Sequence, residues 1–124
     1  MNIIINTASM IPIYEQITDA VRKQISTGDL QDGEALPSVR SLAKDLRISA
    51  LTVKKAYDEL ESQGLIATVH GKGSYVKAAG SQLLAEEQRK EVEAALEKAW
   101  QKARLCGIDA RELKEMLDIL TGEQ

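Results

Sequence analysis

Apolar residues recur at every third or fourth position in three segments of the first half of the chain, with polar residues between them. This spacing is typical of amphipathic helices that share one core. The first helix is predicted from about residue 12 to 27 and the third from about residue 50 to 63. The three apolar stripes comprise Ile13, Ile17, Ala20, Val21 and Ile25; Val39, Leu42, Ala43 and Leu46; and Leu51 or Thr52, Val53, Ala56, Tyr57 and Leu60.

The second and third predicted helices are joined by a very short turn. The hydroxyls of Ser38 and Ser49 are suited to cap the amino-terminal ends of these helices, and Ser49 stands only three residues past Leu46. Gly64 can end the third helix because glycine adopts positive φ at little cost. Two helices joined so closely must cross at a steep angle, which is the helix-turn-helix arrangement.

Two strand-like segments, residues 65–69 and 74–77, follow the third helix directly. Residues 70–73, with the sequence HGKG, can form the turn of a hairpin between them. The sequence therefore predicts a mainly α fold with a small β wing. Residues 1–77 are expected to form a winged helix-turn-helix domain.

The second part of the chain predicts a helical tail. Residues 78–81, AAGS, are predicted as a hinge, and two further helices are expected within residues 82–124. Two helices of this size cannot enclose a core, so their apolar stripes need a partner, which is either the winged domain or a second copy of the tail. The small hinge and the alanine-rich seam favour a second copy. The predicted dimerisation residues are Leu84, Val92, Leu96, Ala99, Trp100, Ala103, Leu113, Met116, Leu117 and Leu120.

The amino-terminal run at residues 2–6, NIIIN, is short and rich in β-branched residues. Such a run favours a strand, and a buried edge strand is the interpretation we prefer. Pairing with the wing and docking on a second subunit are the alternatives.

Charge is distributed unevenly along the chain. The formal net charge is −3, and residues 1–77 hold nine basic and nine acidic side chains. Residues 38–55 hold five basic side chains against one acidic one, so positive charge concentrates on the helix-turn-helix. Charge alone is equally compatible with a solvated face, but together with the motif it favours nucleic-acid binding.

Several classes of protein are disfavoured by composition. The single cysteine excludes an intrachain disulfide, and no Cys/His spacing resembles a metal site. With one histidine, no catalytic constellation and no phosphate-binding loop, an enzyme is not predicted, nor is any cofactor. The chain lacks a run of about 18 apolar residues and the pattern of a signal peptide, so we expect a cytoplasmic protein without membrane spans.

A series of short motifs resembles the DNA-binding domain of the GntR family of bacterial transcription regulators. In order, they are PIYxQI at 12–17, GDL at 28–30, LPSxRxLA at 36–43, TVxxAYxxL at 52–60 and GxGxYV at 71–76. The short helical tail is similar to that of the YtrA subfamily. That resemblance implies a dimer formed through the tail, in agreement with the unpartnered apolar stripes.

The resemblance and the helix-turn-helix pattern together predict a surface that binds double-stranded DNA. The third helix is the expected recognition helix, with its amino-terminal residues at base edges in the major groove. The resemblance implies a DNA contact by the arginine before the turn and places the wing at the minor groove. Candidate DNA-binding residues are Ser38, Arg40, Ser49, Ala50, Leu51, Thr52, Lys54, Lys55, His70, Gly71, Lys72 and Gly73.

Residue chemistry suggests roles for part of this set. The hydroxyls of Ser49 and Thr52 and the first N–H groups of the helix suit phosphate oxygens. One of Lys54 and Lys55 is expected to read a base edge such as guanine and the other to neutralise a phosphate, without a choice between them. Where the family often has arginine and a small polar residue, this chain has Ala50 and Leu51. These side chains suit a thymine methyl group, so an operator unlike the commonest family sites is expected.

The leading hypothesis is a homodimeric transcription regulator, expected to be a repressor, that binds a two-fold symmetric operator with half-sites ~10 bp apart. The alternative is a protein-interaction module that uses the winged domain and the tail as docking surfaces. A small-molecule effector is left open. Any such ligand is expected between subunits or beside residues 78–81.

Overall fold

In a computed structural model that describes residues 1–123, the chain forms five helices and one two-stranded antiparallel sheet, which confirms the predicted mainly α fold with a small β wing. Met1–Ala85 and the residues from Glu86 onward form two compact units. The elements in chain order are α1 (Ile13–Thr27), α2 (Val39–Leu46), α3 (Ala50–Ser62), β1 (Ile66–Val69), β2 (Gly73–Val76), α4 (Ala78–Leu105) and α5 (Ala110–Thr121).

The core of the first unit is built from the apolar stripes of its helices. α3 packs against α1, α2 and β1, so it lies at the centre of the unit. The largest completely buried side chains are Ile17, Val21, Val53, Leu60 and Ile66. Four of these five belong to the predicted stripes of α1 and α3, because helical periodicity separates one buried face from one solvated face.

Side-chain caps fix where α2 and α3 begin. Ser38 Oγ accepts a hydrogen bond from Ser41 N at 3.0 Å, and Ser49 Oγ accepts one from Leu51 N at 3.1 Å. Both predicted caps are confirmed. Each satisfies an N–H that the first turn of a helix leaves without an intrahelical acceptor.

The turn between α2 and α3 depends on a left-handed residue. Arg47 has φ 56° and is the one non-glycine residue with positive φ among residues 1–123. Its N–H bonds back to the carbonyls of Ala43 and Lys44, which ends α2. An L-residue pays about 1–2 kcal/mol for this conformation. The strain allows α3 to begin only three residues later.

The wing is held to the segment that precedes α2. β1 and β2 pair from Ile66 with Val76 to Val69 with Gly73, which leaves residues 70–72 in the turn. On the other edge of β2, Leu36 N bonds Ser74 O at 2.9 Å and Val76 N bonds Glu34 O at 3.0 Å. The start of α2 is therefore tied to the base of the wing.

The amino-terminal run is not a strand, contrary to the prediction. Ile3 is buried in the core and Ile4 is exposed, as in an extended chain, but the backbone groups bond to glutamine side chains of α1. Asn2 exchanges hydrogen bonds with Gln24, and Asn6 does so with Gln16. These amides take the place of a neighbouring strand because each offers both a donor and an acceptor.

Residues 78–81, predicted as a hinge, are instead the first turn of α4. A β-carbon on Gly80 would lie 1.8 Å from the carbonyl oxygen of Gly64, and Ser81 Oγ donates a hydrogen bond to Asp32. The small residues therefore serve close packing rather than flexibility.

Leu84 also differs from its predicted role. It is 3% exposed and belongs to the core of the first unit, so it is not available as a dimerisation residue. The sequence assigned it to the tail because it follows the AAGS segment. The compact unit instead extends to Ala85, eight residues past the predicted domain boundary at residue 77.

Within the second unit, α4 ends at a left-handed glycine and α5 begins at a capped aspartate. Gly107 has φ 81°, and Asp109 Oδ1 accepts a hydrogen bond from Glu112 N at 2.9 Å. Ala103 is buried, and its carbonyl accepts from Ile108 N at 2.9 Å. The two helices expected within residues 82–124 are therefore present, with Asp109 as the cap of the second.

Candidate nucleic-acid interface

α3 presents a stripe of exposed side chains opposite its buried stripe. The stripe begins at Leu51, which is 77% exposed, and continues through Lys54, Lys55 and Asp58. An apolar side chain so exposed near the start of a helix gains nothing from the fold, so the stripe is suited to contact something outside the chain.

A shallow groove of about 460 Å³ runs between the start of α2, the exposed side of α3 and the base of the wing. It brings together residues that lie far apart in the sequence: Val39, Arg40, Ala50, Leu51, Lys54, Tyr57, Asp58, Glu61, Thr68 and Ser74. Of the predicted DNA-binding residues, four line this groove, namely Arg40, Ala50, Leu51 and Lys54.

Lys54 is paired with an acid one helical turn further along α3. Its Nζ lies 2.7 Å from Asp58 Oδ2, and the two side chains are 62% and 64% exposed. The hydrogen bond and the charge of Asp58 raise the pKa of Lys54, so Lys54 remains cationic. Exposed pairs of this kind contribute little to stability, so the ammonium group can exchange partners readily.

Lys55 is directed to the other flank of α3. Its Nζ lies 4.0 Å from the centroid of the Tyr14 ring on α1, a cation–π contact. The negative charge of Glu15, which also accepts a hydrogen bond from the phenol, raises the pKa of Tyr14. The two adjacent lysines therefore occupy different surroundings, and only Lys54 lines the groove.

The hydroxyl groups at the helix starts keep a donor for an external acceptor. Ser38 Oγ and Ser49 Oγ each accept one backbone N–H. Accepting uses an oxygen lone pair, so the O–H can still be donated, for example to a phosphate. Thr52 is half-buried in the first turn of α3.

Tyr57 fixes the start of α2 against α3. Its hydroxyl donates a 2.7 Å hydrogen bond to the carbonyl of Pro37, and burial raises the pKa of Tyr57 to about 12. The phenol is therefore neutral and stays a donor at physiological pH. It positions the segment that carries Arg40, a role that its place in the apolar stripe did not reveal.

The wing tip is fully exposed. His70, Gly71, Lys72 and Gly73 all lie at the surface, and the two glycines have φ 79° and 108°. Tyr75 Oη donates to the carbonyl of Lys72 at 2.9 Å, which ties the turn to β2. The backbone can approach another molecule closely here because the glycines carry no side chain.

Two acidic residues of the groove were missed in the sequence. Asp58 and Glu61 lie beyond the basic segment at residues 38–55, on the next turns of α3, and line the groove. Glu61 Oε2 also accepts a hydrogen bond from Thr68 N at 2.9 Å, which joins α3 to β1. Helical spacing from Lys54 to Asp58 was the available signal.

The tail leaves an apolar surface on the second unit. Val92, Leu96, Met116, Leu117 and Leu120 are exposed, with Leu96 51% exposed. Ala99 is also exposed, whereas Trp100 and Leu113 are half-buried and Ala103 is buried. The Arg104 guanidinium lies 6.0 Å from the centroid of the Trp100 ring. Five large apolar side chains on the two tail helices exceed the scattered exposure that is normal for a monomer surface.

A winged helix-turn-helix unit whose exposed helix face and groove carry arginine and lysine defines a DNA-binding protein of the winged-helix class. The family model described as bacterial regulatory proteins, gntR family, matches residues 13–76. The chain belongs to the GntR family, as the motifs predicted.

Similarity to individual proteins extends beyond the DNA-binding unit. The HTH-type transcriptional repressor YtrA of Bacillus subtilis is 32% identical over 119 residues, covering 96% of this chain and 92% of that protein. A transcriptional regulator from Oenococcus oeni has a similar structure, with a TM-score of 0.73, 26% identity and coverage of 94% of this chain and 97% of that one. The DNA-binding domain of AraR in complex with operator ORX1 matches with a TM-score of 0.55 and 26% identity, over 61% of this chain and 95% of that one.

The chain is thus a DNA-binding transcription regulator and not an enzyme. Double-stranded DNA is its partner. Among the helices of residues 1–123, none is both long enough and apolar enough to cross a membrane.

Proposed function

We propose that the chain is a homodimeric repressor that binds a two-fold symmetric operator, with α3 in the major groove and the wing in the minor groove. The observation that carries this proposal is the groove in which Arg40 lies beside the exposed start of α3 and the base of the wing. Repression is supported by the similarity to YtrA, itself a repressor, over nearly the whole chain. A regulator of DNA in a bacterial cell acts in the cytoplasm.

The surroundings of the two lysines support a choice between them. Lys54 lines the groove with Arg40 and Ala50, whereas Lys55 lies against Tyr14 on the opposite flank. We therefore assign base contact to Lys54 and phosphate contact to Lys55. Ser38, Ser49 and Thr52 are suited to phosphates, and Leu51 to a thymine methyl group.

The wing supplies a phosphate contact that salt titration can measure. Lys72→Ala is expected to weaken operator binding and to reduce the slope of log affinity against log salt by about 0.9 per subunit, thus by about 2 in a dimer, since each neutralised phosphate releases counterions. Fluorescence anisotropy across a range of salt concentrations measures this slope. Lys98→Ala, which removes the same charge from α4, should leave it unchanged, and equal slopes for all three proteins would contradict a wing contact.

The exposed apolar residues of the tail support a dimer formed by a second copy. Leu96→Glu would bury an unpaired carboxylate in that interface, so we expect the dimer dissociation constant to rise at least about tenfold. Sedimentation velocity at a series of concentrations measures the shift from dimer to monomer. Leu105→Glu makes the same substitution on the same helix, about two and a half turns further on, so it lies on roughly the opposite face.

The two tail variants together test the assignment. If only Leu96→Glu dissociates, the apolar face around Leu96 is the interface. A wild-type protein that sediments as a monomer at micromolar concentration would contradict the homodimer. Identical behaviour of both variants would contradict the assigned face. The same proposal assigns DNA binding to residues 1–85 and dimerisation to the remaining residues. It assigns no effector.

A further inference from the structure

Lys54 and Asp58 place a hydrogen-bond donor and an acceptor side by side on the exposed face of α3. Their Nζ and Oδ2 atoms lie 2.7 Å apart, and both residues line the groove with Arg40. We propose that this pair reads one G·C base pair in each half-site, with the ammonium group on guanine O6 and N7 and the carboxylate on the cytosine N4 amino group. The inference rests on the proposed entry of α3 into the major groove.

The position of the pair on α3 suits contact with base edges. Both side chains are more than 60% exposed, and they lie one helical turn apart on the face opposite Val53 and Leu60, which are fully buried. If α3 enters the groove with its amino-terminal half leading, Asp58 faces the duplex together with Lys54. A phosphate-neutralising surface gains nothing from a carboxylate in that place, because the negative charge repels the backbone.

The order of groups along a G·C edge matches the pair. In the major groove, a G·C pair presents two acceptors on guanine, N7 and O6, followed by the N4 donor of cytosine. An A·T pair presents acceptor, donor, acceptor, so the ammonium group would meet the N6 donor of adenine. A lysine on the purine side with a carboxylate beside it therefore favours G·C over A·T.

The same carboxylate would act against incorrect sites. On a duplex that offers no donor at that position, Asp58 loses hydration without gaining a hydrogen bond, and it stays close to phosphate charge. Specificity often comes from such a penalty on the wrong partner as much as from attraction to the right one. The Lys54–Asp58 pair is weak in solvent, so both groups can turn from each other to base edges on binding.

Selection of bound duplexes from a random pool, followed by sequencing, tests the inference with four proteins: wild type, Lys54→Ala, Asp58→Asn and Glu115→Gln. Asp58→Asn is nearly isosteric and the residue is exposed, so a folded variant is expected and a melting curve checks it. Glu115→Gln is a matched control because Glu115 Oε1 lies 3.6 Å from Arg111 Nε, also at i,i+4 spacing, on the second unit. It changes the total charge by the same amount.

We expect Asp58→Asn to lower the preference for G·C about tenfold at one position of each half-site, the range that a specific base contact supports. Lys54→Ala should lose preference at the same position. Affinity of Asp58→Asn for a scrambled duplex should rise several-fold, whereas Glu115→Gln should match wild type in both measurements.

Two results would overturn the inference, and they are distinguishable. If Lys54→Ala changes the selected sequence but Asp58→Asn does not, or if the two variants change different positions, Asp58 does not read a base with Lys54. If neither variant changes the selected sequence or the affinity, the proposed placement of α3 in the major groove fails as well.

Discussion

Replacing Gly80 by alanine is expected to lower the free energy of unfolding of the first unit by about 3 kcal/mol, at the upper end of overpacking penalties. A β-carbon there would lie 1.8 Å from the carbonyl oxygen of Gly64, 2.6 Å from its carbonyl carbon and 2.8 Å from Leu65 Cα. All three are backbone atoms, so no side chain can rotate to make room. The first turn of α4 must move away from Gly64 and Leu65, which also disturbs the burial of Leu84.

The direction of the change in the free energy of unfolding distinguishes a packing clash from an effect of helix propensity. Gly→Ala within a helix normally raises stability by about 1 kcal/mol. Ala79→Gly, at the exposed neighbouring position, is the control and should cost about 1 kcal/mol through propensity alone. Urea denaturation followed by circular dichroism ranks the variants. A Gly80→Ala protein that is as stable as wild type would contradict the close contact with Gly64.

The helices and caps of the winged unit could be predicted because their signals are local. The stripes of α1, α2 and α3 repeat within a few residues, and Ser38 and Ser49 bond to N–H groups two or three residues away. Such features depend on neighbours along the chain, which the sequence displays directly. The short motifs between residues 12 and 76 predicted the family for the same reason. They coincide with the family match at residues 13–76.

The features that were predicted wrongly depend on contacts between distant segments. AAGS has the composition of a hinge, and only the approach of the Gly64 carbonyl makes it the docked start of a helix. The NIIIN run has the composition of a strand, but the amides of Gln16 and Gln24 satisfy its backbone instead. Composition describes what a segment can form alone, whereas these outcomes are decided by what lies opposite.

In the candidate site, too, local features could be predicted from the sequence and contacts between distant segments could not. The sequence identified the basic positions of α2 and α3 but could not choose between Lys54 and Lys55, since adjacent residues differ only in the flank they occupy. Tyr14, from α1, separates them in the structure by holding Lys55. The charge of a stretch of sequence does not reveal the role of Asp58, because its place beside Lys54 depends on helical spacing.

Arg40→Ala is expected to lower operator affinity by at least about 100-fold. Arg40 is exposed in the first turn of α2 and lines the groove beside Ala50 and Lys54. Loss of a hydrogen bond to a charged group costs about 1.5–3 kcal/mol, and a dimer loses it twice. The Tyr57 bond to Pro37 fixes the backbone segment that carries Arg40, so the start of α2 is in place before DNA binds. Quantitative gel shifts on a selected operator measure the change.

Two further variants determine what Arg40 contributes. Lys44→Ala removes the same charge from the same helix one turn later, outside the groove lining, and should weaken binding less than tenfold. Arg40→Lys keeps the charge but loses the planar fork of donors. Affinity near wild type for Arg40→Lys would indicate a phosphate contact, and a loss close to that of Arg40→Ala would indicate bidentate recognition. Operator affinity that is unchanged in Arg40→Ala would contradict both contacts and remove Arg40 from the interface.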